Sequence, residues 1–237
     1  MAKARTITTK AAPAETASTR RRTIGRPSSA NDSVGRETLI DVTCRLLKEL
    51  PPDKVTRVAV ARGSGVDPSL IRYYFRTRES LLVAAAKRVT EEFGAVLNQR
   101  LAQTPATPID RLRARIASLL EMHVTYPFFH RLIIEHVLNS DAPEAKEMFN
   151  DLTTRALGGY ADIVAAGVDE GSLRKIEPVF LFVAVVGMCE YFISAEPILK
   201  FAFGRRYGRR KAHQEYVAFV TEMVLNGLRA EVATSNP

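Results

Sequence analysis

A short segment, residues 65–82, concentrates side chains that can hydrogen-bond to nucleic acid. Arg72 stands directly before Tyr73 and Tyr74, and two further arginines follow within four residues. The guanidinium of an arginine matches the O6 and N7 acceptors of guanine. Tyrosine hydroxyls and additional arginines can reach phosphate oxygens. The residue types and their spacing therefore predict a surface that contacts DNA.

Two short helices are expected to position these side chains as a helix-turn-helix. Thr56 is a candidate N-cap of the first helix, and Gly65 supplies the tight turn. Asp67 is a candidate N-cap of the second helix, with Pro68 at its first position. The second helix of this motif enters the major groove with its N-terminal residues facing base edges. The predicted DNA-binding residues are Thr56, Arg57, Pro68, Ser69, Arg72, Tyr73, Tyr74, Arg76 and Arg78, with Arg26 upstream.

The charge distribution along the chain supports the same prediction. The 237 residues carry a formal net charge of +8. Residues 1–82 hold 16 Lys and Arg against 8 Asp and Glu, a net of +8, whereas residues 83–237 hold 18 of each kind, a net of zero. An excess confined to one end indicates a polyanionic partner there, and a solubilising tail is the alternative.

Residues 1–33 are rich in Ala, Thr, Ser and Arg and contain few residues that could be buried. We predict a disordered basic arm, although a transit peptide has a similar composition. Arg26, between Gly25 and Pro27, could enter a narrow minor groove. Nonspecific attraction of the arm to phosphates is the alternative interpretation.

Apolar residues at helical spacing recur from residue 34 onward, without an alternating strand pattern or an internal repeat. The sequence therefore predicts an all-α protein of about nine helices. We expect a three-helix helix-turn-helix domain at residues 34–82. A larger helical domain is expected at residues 83–237, entered by a long helix that Thr77 caps and that runs towards Leu101.

The segment VTRVAVARGSGVDPSLIRYYFRTRESLL, residues 55–82, resembles the DNA-binding signature of tetracycline-repressor (TetR-like) transcriptional regulators. Arg72 stands where that signature usually has a tyrosine, and Ser69 where it has a glycine. The resemblance implies a bacterial regulator in the cytoplasm, associated with the nucleoid. It also implies a homodimer on a palindromic operator in double-stranded DNA, with a C-terminal ligand-binding and dimerisation domain whose last two helices pair with their twins.

The C-terminal part supplies apolar and aromatic side chains of the kind that line ligand pockets. The segment Val179–Ala195 is apolar nearly all round, so another subunit could cover one face. Glu190 interrupts that run and is either an exposed or ion-paired carboxylate or a polar handle for a ligand. The candidate ligand-binding residues, for an effector of unknown identity, are Met122, Tyr126, Phe129, Met148, Phe182, Met188, Cys189, Glu190 and Phe192.

Other functional classes find little support. The spacing of His123, His130 and His136 does not favour a metal site, and no cofactor is predicted. Cys44 and Cys189 fit neither a disulfide framework nor a zinc site. The run around Glu190 is short for a membrane span, so no membrane partner is expected. The common nucleotide-binding and hydrolase motifs are absent, which argues against an enzyme.

The prediction is therefore a DNA-binding repressor that a small molecule releases from its operator. Two alternatives remain open: an architectural or cell-cycle DNA-binding factor without an inducer, and an enzyme that uses the C-terminal cavity.

Overall fold

The computed structural model describes residues 35–105 and 107–229, and within these ranges the chain is all-α, as predicted. Leu173 and Arg229 form an isolated antiparallel β-bridge. Ten α-helices follow one another: α1 Arg36–Leu47, α2 Arg57–Ser64, α3 Pro68–Tyr74, α4 Arg78–Ala102, α5 Pro108–Thr125, α6 Phe129–Leu132, α7 Pro143–Asp169, α8 Pro178–Ser194, α9 Glu196–Phe203 and α10 Arg209–Leu228. A π-helical segment, Ile133–Leu138, follows α6.

Side-chain caps set the starts of the helices near the predicted DNA-binding surface. The Thr56 hydroxyl accepts a hydrogen bond from the Ala59 amide at 3.1 Å, and the Asp67 carboxylate accepts one from the Ser69 amide at 2.7 Å. Thr77 and Ser80 form a reciprocal capping box at the start of α4. Gly65 ends α2 with a φ of +68°, a left-handed conformation that favours glycine. These caps are the ones that the sequence predicts.

One core cluster joins the helix-turn-helix to the start of α4. Val60 and Ile71 are fully buried between α2 and α3, and Val66 in the turn is half-buried against them. Leu39 of α1 and Leu82 of α4 close the cluster from the other side. The inward faces of α2 and α3 are thereby held by apolar contacts, which fixes the orientation of their outward faces.

A second core cluster lies among α5, α7, α8 and α10. Leu112, Ile116 and Leu120 recur along α5 and are fully buried, as is Val185 of α8. Leu119 packs against both clusters. α4 contacts α1 at one end and α5 and α7 along its length. This helix therefore connects the two cores physically.

The C-terminal helices are described by where the last one begins and by how apolar α8 is. α10 begins at Arg209, because the chain is extended at Gly208 and turns helical directly after it. Within the described ranges, no single helix has the length and apolar composition of a membrane span. α8 and the segment Glu196–Arg206 meet those criteria only as a pair bent by 62°.

Candidate DNA interface and ligand cavity

The outward face of α3 carries the side chains predicted to read DNA. Arg72 and Ser69 are exposed, and Tyr73 is 80% exposed. The Tyr74 ring meets the Tyr73 ring edge-to-face, with 5.1 Å between centroids. Ile71, on the opposite face, is fully buried. The helix therefore anchors its apolar side in the protein and leaves arginine, serine and tyrosine side chains exposed on the other side.

The predicted arginines divide into two groups by their contacts. Arg57 donates a hydrogen bond to the backbone carbonyl of Arg76 at 2.6 Å. Arg78 donates to the carbonyl of Val55 at 2.9 Å and to that of Pro52. Arg57 and Arg78 thus tie the loops around the motif together. Arg72 and Arg76 are exposed and form no ion pair within the described part of the chain, so their charges face outward.

The remaining predicted DNA-binding residues lie at the starts of α2 and α3 or outside the described residues. Pro68 is half-buried at the first position of α3, and Thr56 is exposed while it caps α2. Arg26 lies outside the described residues. The structure therefore brings the predicted positions from Thr56 to Arg78 into one unit.

The predicted ligand-binding residues do not line one cavity. Met122, Tyr126, Phe129 and Met148 belong to the core cluster next to the helix-turn-helix, whereas Phe182, Met188, Cys189 and Phe192 belong to or pack on the second cluster. Burial raises the pKa of the Cys189 thiol to about 12, which keeps it protonated at neutral pH. Their apolar character places these side chains in the core, but it does not say which of them border a void.

The position of Glu190 agrees in part with the interpretation of an exposed or ion-paired carboxylate. Its side chain is half-buried at an edge of α8, and its Oε2 lies 3.9 Å from Nε2 of His130. The partner is thus a histidine rather than an arginine. Within the described ranges, the histidines and acidic residues form no group of three or more that could hold a metal ion.

A cavity of about 150 Å³ lies among α4, α5, α7 and α8. Of the predicted ligand residues, Phe182 alone borders it. The lining residues are Thr90, Phe93, Gly94, Leu97, Asn98, Arg115, Leu119, Leu152, Arg155, Ala156, Tyr160 and Phe182. Arg115 was missed by sequence reasoning. Its position three residues after Leu112 and four before Leu119 is the signal that puts it on the buried side of α5.

A wider groove of about 690 Å³ runs between the helix-turn-helix and α7. Tyr74, Phe75 and Arg76 border it on one side, and Glu144 and Glu147 on the other. Thr90 of α4 and Arg155 of α7 line both this groove and the cavity. These two side chains therefore lie between the cavity and the groove beside the helix-turn-helix.

Exposed apolar side chains recur along α8 and α10. On α8 they are Phe180, Val183 and Tyr191, which are 73%, 60% and 63% exposed, and Phe219 and Met223 repeat the pattern on α10. Spacings of three, four and eight residues keep each set on one side of its helix. We call these two sets the α8–α10 apolar face.

Comparison with known proteins agrees with this arrangement. Residues 105–233, more than half of the chain, match the family model described as "Tetracyclin repressor-like, C-terminal domain". The HTH-type transcriptional repressor NicS of Pseudomonas putida is 22% identical over 68% of this chain and 76% of its own length. The HTH-type transcriptional regulator BetI of Brucella anthropi is 31% identical over 38% of this chain, and the match spans less than half, 46%, of BetI.

The fold is also found among solved structures. The structure of AibR in complex with isovaleryl coenzyme A and operator DNA matches with a TM-score of 0.60 and 15% identity. The match covers 79% of this chain and 96% of that one. With the helix-turn-helix at one end and the matched C-terminal helices behind it, the chain belongs to the tetracycline-repressor-like family of transcriptional regulators.

Proposed function

We propose that this chain is a homodimeric repressor that a small-molecule effector releases from a palindromic operator. Residues 34–82 would bind DNA, and residues 83–237 would bind the effector and the second subunit. The observation that carries the proposal is α4: it begins in the helix-turn-helix, and five of its residues border the cavity. A protein that acts on the chromosome in this way works in the bacterial cytoplasm, at the nucleoid.

The DNA-binding part of the proposal assigns a role to each exposed group on α3. Pro68, Ser69 and Arg72 would face base edges, and Tyr73, Tyr74 and Arg76 would contact phosphates. Arg57 and Arg78 would act mainly by holding the loops, since their guanidinium groups already donate to backbone carbonyls. Thr56 would contact the backbone from the start of α2, and Arg26 would reach a neighbouring groove.

The coupling part of the proposal requires that effector and operator favour different positions of α4. An effector can shift DNA affinity only by its differential affinity for the two states. A movement of α4 at Thr90 would change the separation of the two recognition helices in the dimer. Half-sites about one helical turn apart tolerate little change in that separation.

A reciprocal titration tests this function. An operator is first selected from random DNA, and a metabolite panel is then screened for release of that DNA. Any effector found is titrated calorimetrically into the protein with and without operator. We expect its affinity to fall on the operator complex by the factor by which it weakens DNA binding, a coupling of about 1–3 kcal/mol. Equal affinities in the two titrations would favour a DNA-bound architectural or cell-cycle factor without an inducer.

A further inference from the structure

Arg115 is a cation set into the wall of the cavity without a counter-charge. Its Nε is buried and has no hydrogen-bond partner in the described part of the chain. No carboxylate lies within ion-pairing distance of its guanidinium in residues 35–105 and 107–229. Arg115 as a whole is half-buried, and this partial burial lowers the pKa of its guanidinium from its ordinary value, because burying an unpaired charge is costly. An arginine nevertheless stays protonated at neutral pH, so the site retains a positive charge.

The guanidinium group of Arg115 lies against Gly159 and Tyr160 of α7. Its carbon lies 5.5 Å from the centroid of the Tyr160 ring, which in turn meets the Phe182 ring edge-to-face. On α7, a Cβ atom added to Gly159 would collide with the guanidinium group. The absence of a side chain at Gly159 therefore leaves the space that the Arg115 head occupies.

The charges around the cavity leave Arg115 as the group in need of an anion. Arg155, the other cation in the lining, already pairs with Asp151 at 2.5 Å, and both side chains are more than half exposed. Asp162 attracts Arg115 from beyond ion-pairing distance, and Arg111 repels it. None of the described residues that line the cavity is acidic.

The rest of the lining indicates the shape and polarity of the missing partner. Phe93, Leu97, Leu119, Leu152 and Phe182 form apolar walls, and Thr90, Asn98 and Tyr160 add a few polar groups. The volume of about 150 Å³ is comparable to that of a protein cavity that holds one benzene molecule. A carboxylate presents two oxygens in the plane that a guanidinium fork matches.

We propose that the cavity binds a small monocarboxylate with a compact apolar body, and that Arg115 holds its carboxylate group. The apolar body would lie between Phe93, Leu119 and Phe182. This inference rests on the proposed function only in that the bound carboxylate would be the effector. Binding in the absence of DNA tests it separately.

The test compares benzoate and hexanoate with their neutral counterparts, benzyl alcohol and 1-hexanol. Each is titrated into the full-length protein without DNA by calorimetry, and thermal unfolding is followed in parallel. We expect at least one carboxylate to bind and to raise the unfolding midpoint, while the alcohols bind far more weakly. Equal binding of an alcohol and its carboxylate counterpart would overturn the proposal, and so would failure of both carboxylates to bind at millimolar concentration.

Variants identify the residue that holds the anion. A hydrogen-bonded charge pair corresponds to about a 10- to 100-fold change in Kd, so Arg115→Gln should weaken the bound carboxylate by that factor. The matched control is Arg113→Gln, which alters an exposed arginine of the same helix that pairs with Asp110, and should retain the affinity. Unchanged binding by Arg115→Gln would overturn the assignment.

A second variant guards against a folding defect in Arg115→Gln. Gly159→Ala retains the arginine but displaces its head, so it should also weaken the carboxylate while the alcohols are unaffected. Full carboxylate affinity in Gly159→Ala would contradict the proposed position of the guanidinium. If a carboxylate binds through Arg115 yet leaves operator affinity unchanged, the anion site stands, and that carboxylate is not an effector; the reciprocal titration then decides the proposed function separately.

Discussion

Arg72 is the exposed side chain of α3 best suited to read a base. We expect Arg72→Ala to cost about 1–3 kcal/mol at the preferred operator and to relax the preference at one base pair per half-site, because a bidentate contact to guanine is lost. Tyr73→Phe should weaken all DNA sequences alike, since a phosphate contact carries no base information. Site selection from random DNA with each variant measures this. Lys175→Ala, which changes an exposed residue of the α7–α8 loop, is the control.

If Arg72→Ala keeps the full base preference, Arg72 contacts phosphate and the specificity lies elsewhere on α3. A loss of preference in Tyr73→Phe would likewise reverse the two roles.

The buried side chain of His123 makes the stability of the folded protein depend on pH. Burial lowers its pKa below the ordinary value of 6.5, and its Nδ1 lies 2.9 Å from the Leu119 carbonyl oxygen. The folded state disfavours protonation of His123, so the folded protein has the full stability that this neutral side chain allows above pH 6.5. That stability is lost as the pH falls from 6.5 towards the lowered pKa of the folded state, because the unfolded chain binds the proton first. His136 and His213 have pKa values lowered by burial too, so they add to the same acid sensitivity.

Replacing His123 should make stability less dependent on pH. In His123→Gln, the slope of unfolding free energy against pH below 6.5 should decrease by up to about 1.4 kcal/mol per pH unit, the value for one proton. Denaturant titrations from pH 5 to pH 8 measure it. Wild-type and variant curves that run parallel across this range would show that His123 does not take up the proton.

At the scale of the elements, the turn between α2 and α3 depends on one left-handed residue. Gly65 has a φ of +68°, and no atom lies within 4 Å of an added Cβ, so the cost of a side chain there is conformational. Gly65→Ala should destabilise the protein by about 1–2 kcal/mol. Gly158→Ala, within the helical run of α7 and equally free of contacts, should instead stabilise it by about 0.5–1 kcal/mol.

Denaturant unfolding of the two glycine variants tests this difference in sign. Destabilisation by both substitutions would mean that packing, not backbone conformation, decides the cost at these positions.

At the scale of the whole molecule, we propose that the α8–α10 apolar face pairs with a second copy. A two-fold interface uses the same patch on both subunits, so a charge introduced there is buried twice. Val183→Glu should therefore shift the protein from dimer to monomer at micromolar concentration and weaken operator binding, which needs two half-sites. Sedimentation velocity measures the first effect.

Val96→Glu is the matched control, because Val96 is also an exposed valine but lies on α4, outside that face. A dimer that persists in Val183→Glu would place the subunit contact elsewhere on the molecule.

Local sequence alone determined the helix boundaries and the buried face of the helix-turn-helix. Three kinds of feature involve only residues a few positions apart: the caps at Thr56, Asp67 and Thr77, the turn at Gly65, and the apolar spacing that buries Val60 and Ile71. They can therefore be predicted from the sequence without knowledge of the fold. The all-α class and the family follow from the same short-range patterns. The exposure of Arg72 and Tyr73 follows as well, because a helix that buries Ile71 must turn its neighbours outward.

Only the tertiary structure decided where the cavity lies and which side chains border it. Met122 and Cys189, like Leu119 and Leu152, have apolar side chains, but whether a core side chain fills space or borders a void depends on helices far apart in sequence. Arg115 meets Gly159 and Tyr160 across two helices, and Arg78 meets the carbonyl of Val55 23 residues earlier in the chain. Such contacts arise from packing at long sequence separation, and no local pattern specifies them.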